Sequence, residues 1–254
     1  MIYLLLGAAC ACLGAANAIG ASTLLRPLLD AISPLDAASV SMLCTAAALG
    51  AALVGAFFAL SRPLTLHQDE LLLLAIGAAL GGVLGDLVGA RFFAMLPPRG
   101  SLLLQNALLF TLLALPAVYF SGLNRAIAPL SITRMAALPV AALLGITASF
   151  LSFGAVPLTL MVYHLLFDAS EEESGLASLA VTLCAMAGKL VCALIRLKLN
   201  IPHADVLLWL LPGALLGALA AMVPGVQRSI PLGAQPLLKL ALFASLINIA
   251  AAFA

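Results

Sequence analysis

Polar residues act as punctuation in this chain. Between charges and proline or glycine breaks, the pattern resolves eight apolar segments, at 2–32, 36–60, 68–96, 101–120, 134–167, 171–197, 203–224 and 232–254. Each reaches the ~20 residues that a helix needs to cross about 30 Å of hydrocarbon. The ~10-residue alternating segments of an outer-membrane barrel are missing, so the runs predict an all-α integral membrane protein.

The first segment of each half is too long to be one straight crossing. At 1.5 Å per residue, 2–32 and 134–167 would make helices of about 45–50 Å. Each is therefore expected to be broken or re-entrant. The expected breaks fall at 18–23 and 149–155, where Gly20 and Gly154 permit unusual backbone angles and hydroxyls can satisfy freed backbone groups. Pro27 and Pro157 follow, where helix can restart.

One spacing occurs twice. Gly77, Gly81 and Gly89 are matched by Gly213, Gly217 and Gly225, within GAALGGVLGDLVGAR and GALLGALAAMVPGVQR. Such glycines lie on nearly one helix face, where a missing side chain lets another backbone pack closely. The chain thus reads as two four-segment repeats, 1–120 and 134–254, joined by a connecting loop at 121–133. If the broken segments cross once, the repeats are parallel; if they fold back, the repeats are inverted. Single crossing gathers Arg62, Arg125, Arg134, Arg196 and Lys198 on one face, which favours it by the positive-inside rule, whereas the re-entrant arrangement divides the basic residues evenly. Segment length, and the frequency of inverted repeats in transporters, favour inversion, which is the reading adopted.

Composition agrees with a bilayer and narrows the partners. The chain is 65% hydrophobic and 8% charged, with a mean hydropathy of +1.23. A net charge of +1 without a Lys/Arg run gives no basis for nucleic-acid binding. Cys10, Cys12, Cys44, Cys184 and Cys192 all fall within apolar runs without metal-ligand spacing, so they read as small core residues; no metal site or cofactor is expected. The N-terminal run has an Ala-x-Ala ending at Ala18 but no basic start, and reads as a retained membrane segment.

The stretch GDLVGARFFAMLPP in the third segment, GASTLLRPLLDA in the first and FGAVPLTLMVYHLLFDASEEESGLASLAVT in the second half together resemble the sulfite exporter TauE/SafE family of membrane transporters. The glycine clusters that commonly open that family's broken helices are thinned here to Gly20 and Gly154. The resemblance implies a duplicated permease of the cell inner membrane that moves sulfur-containing anions such as sulfite, thiosulfate or organosulfonates.

Paired broken helices are also, on their own, a pointer to a substrate site near the bilayer midplane. Helices restarting after Gly20 and Gly154 aim free amides and a positive dipole end at an anion. Candidate ligands at the breaks are Asn17, Ser22, Thr23, Ser152 and Thr159. On the following helices, Ser41 with Thr45 and Ser178 with Thr182 form i, i+4 hydroxyl pairs. The alternative for each is a bond to its own backbone or a neighbouring helix. Arg26 is the most attractive cation, because its fork of donors matches sulfonate or carboxylate oxygens, and Lys189 is the second. Arg26 can instead pair with Asp30 one turn on. Asp86 is either a coupling group or a structural partner of Arg91 or Lys189.

These features predict a secondary transporter of small anions, working by alternating access, with the lipid bilayer as its other partner. A carboxylate transporter on the same scaffold and a non-transport membrane assembly subunit are the alternatives, and a homo-oligomer stays open. An ATP-binding P-loop motif and a catalytic constellation such as HExxH are both missing, so no enzyme is expected.

Overall fold

The computed structural model describes residues 1–33, 35–61, 66–122, 127–196, 203–223, 226 and 233–253. Arg62, Arg125, Lys198, Gly225 and Arg228 lie outside the described residues. The described chain is an all-α membrane protein of ten helices: α1 Ile2–Ala16, α2 Ala21–Ile32, α3 Ala37–Ala59, α4 Gln68–Ala94, α5 Pro98–Phe120, α6 Ala137–Leu151, α7 Val156–Phe167, α8 Glu171–Arg196, α9 Ala204–Ala221 and α10 Ala234–Phe253. A 3-10 turn at Arg134–Ala136 leads into α6. Seven helical stretches are long and apolar enough to cross a membrane. Leu53, Phe57, Leu80, Leu84, Leu208 and Phe243 remain exposed on the outside, as a lipid-facing surface requires.

Both long first segments break, giving α1 and α2 in one half and α6 and α7 in the other. Gly20 caps α2 at φ 78°, a left-handed angle that costs a glycine little. Ser152, Gly154 and Ala155 carry the second break through the same region at φ 57°, 74° and 50°. The breaks are tighter than expected: Ser22 and Thr23 already lie in the first turn of α2, and Ser149 is still inside α6. Pro157 sits in the first turn of α7 as expected, but Pro27 lies inside α2, after the helix has restarted.

Neighbour relations give each helix its direction. A Cβ built on Gly77, Gly81, Gly85 or Gly89 meets Leu138, Ala142, Ile146 and Phe150 in turn, so α4 and α6 run parallel in backbone contact. Gly213 and Gly217 press in the same way on the Leu4 and Ala8 carbonyls, making α9 and α1 the matching parallel pair. The amides of Leu130 and Ile132, just before α6, donate to the Leu165 and Leu166 carbonyls at the end of α7, 2.8 Å in each case. The end of α7 therefore returns to the side from which α6 departs. Likewise α1 starts, and α2 ends, at the opposite end of the bundle: Asp30 shares a cavity wall with Arg99 at the start of α5 and Ala252 at the end of α10.

Each half is thus a re-entrant pair followed by three crossings, and the halves run in opposite directions. We call the end holding Ile2 and Phe253 the terminal end, and that holding residues 121–133 the connector end. The stretch Arg134–Leu151 is long enough to span, yet α7 folds back from its tip. The repeats interlock, because each half packs its glycine-rich third segment on the other half's re-entrant pair.

Candidate functional site

The two re-entrant tips meet inside the bundle, level with the middle of α4 and α8. The Ser149 hydroxyl donates to the Gly82 carbonyl at 2.6 Å, and Thr182 donates to the Gly154 carbonyl at 2.6 Å. Thr23 donates to the Ile19 carbonyl at 2.6 Å and reaches the Phe153 carbonyl at 3.4 Å. A Cβ on Gly154 would stand 2.7 Å from the Ser22 hydroxyl oxygen, and one on Gly20 2.8 Å from a Val156 methyl. These approaches need glycine, which is the physical content of the two residues read from the sequence.

A cavity of about 750 Å³ lies on the terminal side of the tips. Asp30, Asp36, Ser41, Asp86, Arg99, Gln105, Ser149, Lys189, Arg196 and Asn248 contribute to its wall, beside apolar Phe93 and Phe150. Lys189 stands at its floor, 4% exposed. Its ammonium donates to Ser41 Oγ at 2.9 Å, to Ser152 Oγ at 2.5 Å and to the Ser149 carbonyl. The two hydroxyls bond each other at 2.6 Å. Among the described residues no carboxylate comes within ion-pair distance of Lys189. On the connector side of the tips is a smaller pocket of about 240 Å³, lined by Gly20, Ser22, Val156, Ser178, Thr182 and Met222 among others.

No family model, curated protein or solved structure matches this chain.

The candidate residues separate clearly. Ser41, Ser152 and Lys189 converge on one cluster. Gly20, Ser22, Ser178 and Thr182 line the smaller pocket, with Gly154 beside Ser22. Asn17, Thr45, Thr159 and Ser178 spend their side-chain hydrogen bonds on backbone carbonyls one helical turn or less away, at Leu13, Ser41, Ala155 and Gly175. Arg26 is 2% exposed; its Nε binds Asp30 Oδ2 at 3.2 Å and its Nη2 donates to Gln105. Asp86 pairs with neither Arg91 nor Lys189. Both its oxygens accept from Arg196 Nη2, at 3.1 and 3.0 Å.

Three polar residues of the site did not stand out in the sequence. Asn106 donates to Asp30 Oδ2 at 3.2 Å, Asn248 donates to the Pro27 carbonyl at 2.9 Å and to Asn106 Oδ1 at 3.1 Å, and Gln105 takes the Arg26 donor. Together they tie α2 to α5 and α10. The available signal was an amide inside an otherwise apolar span, which is costly unless partnered.

At the cavity rim, Asp36 caps α3 by accepting from the amides of Ala38 and Ser39 at 3.1 and 3.2 Å. Burial alone would raise its pKa, but these bonds and the Ser39 hydroxyl outweigh it and hold the carboxyl below the usual aspartate value.

Proposed function

We propose that this protein is a secondary transporter of small anions, built on the plan of the TauE/SafE permeases and residing in a cell's inner membrane. The observation that carries the reading is the Lys189 ammonium at the cavity floor, held among the described residues by neutral oxygens only. A buried charge at this depth costs several kcal/mol unless compensated, and an anion entering the cavity supplies the compensation. Two further features support it. Helices α2 and α7 leave the tips in opposite directions, so both positive dipole ends meet at the middle of the bundle. Unequal cavities on either side of one thin partition suit alternating access.

The size and polarity of the larger cavity suit sulfite, thiosulfate or a short organosulfonate, and a short carboxylate is the second choice. The test is a melting-shift panel of these anions on purified protein, followed by flux in liposomes. A ligand at a hundred times its Kd should stabilise the fold by about 2.7 kcal/mol. Stabilisation by none of them would overturn the assignment; a carboxylate preference would keep the mechanism and change the substrate.

A further inference from the structure

Asp30 and Asp86 are the two acids of the large cavity held in ion pairs, and they are held differently. Oδ2 of Asp30 accepts from Arg26 Nε and from Asn106 Nδ2, each at 3.2 Å. Its Oδ1 is buried and has no hydrogen-bond partner among the described residues. Asp86, by contrast, uses both oxygens on Arg196. A proton on Asp86 would share its oxygen with the Arg196 donor, whereas Oδ1 of Asp30 takes one where no other donor stands among the described residues and leaves both bonds to Oδ2 in place. Asp30 and Gln105, the two partners of Arg26, both line the large cavity, and Arg26 lies behind them.

We propose that Asp30 is the proton-binding site that couples anion movement to a proton gradient. The step transfers one proton from the water of the cavity to Asp30 Oδ1; the carboxylate charge disappears and no covalent bond of the protein breaks. Arg26 keeps its place but loses its counter-charge, so the cavity wall becomes more positive by one unit. A monovalent anion restores neutrality there. One proton and one anion then travel together: once the anion has left on the far side, the proton passes from Oδ1 to the water on that same side, and the Asp30–Arg26 pair is restored. This rests on the anion-transport reading, which it deepens by naming the coupling ion and its seat.

The elements packed against α2 bring few competing groups. Helix α1 brings Tyr3 near its start and the buried thiol of Cys10, and α3 brings Asp36 at its cap and Cys44 in the core. Helix α5 brings Arg99 at its start beside the neutral Gln105 and Asn106. Helix α10 brings neutral Asn248, since Lys239 lies toward the connector end. Across the cavity stand Lys189 and the Asp86–Arg196 pair. Of the three acids in the cavity wall, Asp86 is engaged on both oxygens and Asp36 is bonded to its own helix start, which leaves Asp30 with an oxygen that accepts no hydrogen bond from the described residues.

Two measurements test the site. In the first, infrared difference spectra of the full chain in nanodiscs are taken between mildly alkaline and mildly acidic buffer. Wild type should gain a protonated-carboxyl C=O band that Asp30→Asn lacks and Asp86→Asn retains; a band unchanged in Asp30→Asn would overturn the proposal. In the second, liposomes take up isethionate, whose sulfonate charge does not titrate in this range. A one-unit acid-outside gradient should drive about tenfold accumulation by wild type, since one pH unit is a tenfold ratio of protons. Asp30→Asn should lose accumulation yet keep isethionate counterflow at a pH-independent rate, which also shows that it folds, and Asp30→Glu should recover accumulation in part. Uptake by wild type without accompanying protons would overturn the coupling while sparing the transport reading. The Asp30 band without uptake of any anion would overturn the transport reading and the coupling with it, leaving only a protonatable carboxyl.

Discussion

At the scale of single residues, the site depends on which polar groups have spare capacity. Lys189 has spare charge, so Lys189→Met should lower anion flux by at least about tenfold, equivalent to about 1.4 kcal/mol of lost interaction. Lys239→Met, at an exposed position near the connector end, should stay within about twofold; equal losses in liposome flux would remove Lys189 from the site. Asp36→Ala should cost about 1 kcal/mol of stability through the lost cap of α3. The carboxyl sits below its ordinary value when folded. Its contribution is therefore complete above the ordinary aspartate range and fades as the pH falls through the lowered value. Thermal unfolding of wild type and variant should converge in acid. Lys189 and the hydroxyls around it were legible in the sequence because a charge in an apolar run is rare enough to stand out. The sequence offered Arg26 the Asp30 partner that it takes one turn on, but that Lys189 would be left without a carboxylate among the described residues was not legible. The difference lies in Gln105 and Arg196, which reach Arg26 and Asp86 only through helix packing across long sequence separations.

At the scale of helices, the duplicated glycine spacing did disclose the packing. Cβ atoms on Gly81 and Gly217 would overlap the carbonyl oxygens of Ala142 and Ala8. Backbone cannot step aside as a side chain does, so Gly81→Ala and Gly217→Ala should each destabilise by about 1–3 kcal/mol. Gly175 in the first turns of α8 has open space where its Cβ would be. Gly175→Ala should therefore be neutral or stabilising by up to about 1 kcal/mol, through helix propensity alone. Unfolding of the three variants in detergent separates the packing argument from a generic intolerance of substitution. Hydrophobic periodicity located the helices well, because apolar length is a bilayer requirement. It was less able to place the break within each first segment. There the decisive contacts are between tips of opposite halves, and no local pattern reports them.

At the scale of the molecule, the architecture is duplicated and the chemistry is not. Helices recur about 136 residues apart, as Gly77 and Gly213 do, yet Arg26, Asp86 and Lys189 correspond at that offset to Val162, Met222 and Leu53. The charged side chains therefore gather in the cavity toward the terminal end, and the pocket across the tips is small and neutral. Inversion was favoured in the sequence by segment length against a contrary hint from loop charge. Basic residues weigh little here because few of them are spread over both ends. The arrangement predicts that single cysteines at Ile2 and Phe253, in a cysteine-free background, react with an impermeant thiol reagent from one side of the membrane. A cysteine at Leu130 should react from the other; labelling of all three from one side would exclude the inverted fold.

The thin partition between the two cavities has an electrical consequence. A cavity walled by charges fills with water and carries the bulk potential inward, so a membrane voltage falls mainly across the few residues where the tips touch rather than across the whole bilayer. A full elementary charge moved through that drop is worth about 2.3 kcal/mol per 100 mV. Lys189 borders this drop, and a small excursion of its ammonium would traverse much of it. Voltage steps on a membrane carrying the protein, with no substrate present, should then evoke brief charge-displacement currents that vanish in Lys189→Met, even where the complete transport cycle moves no net charge.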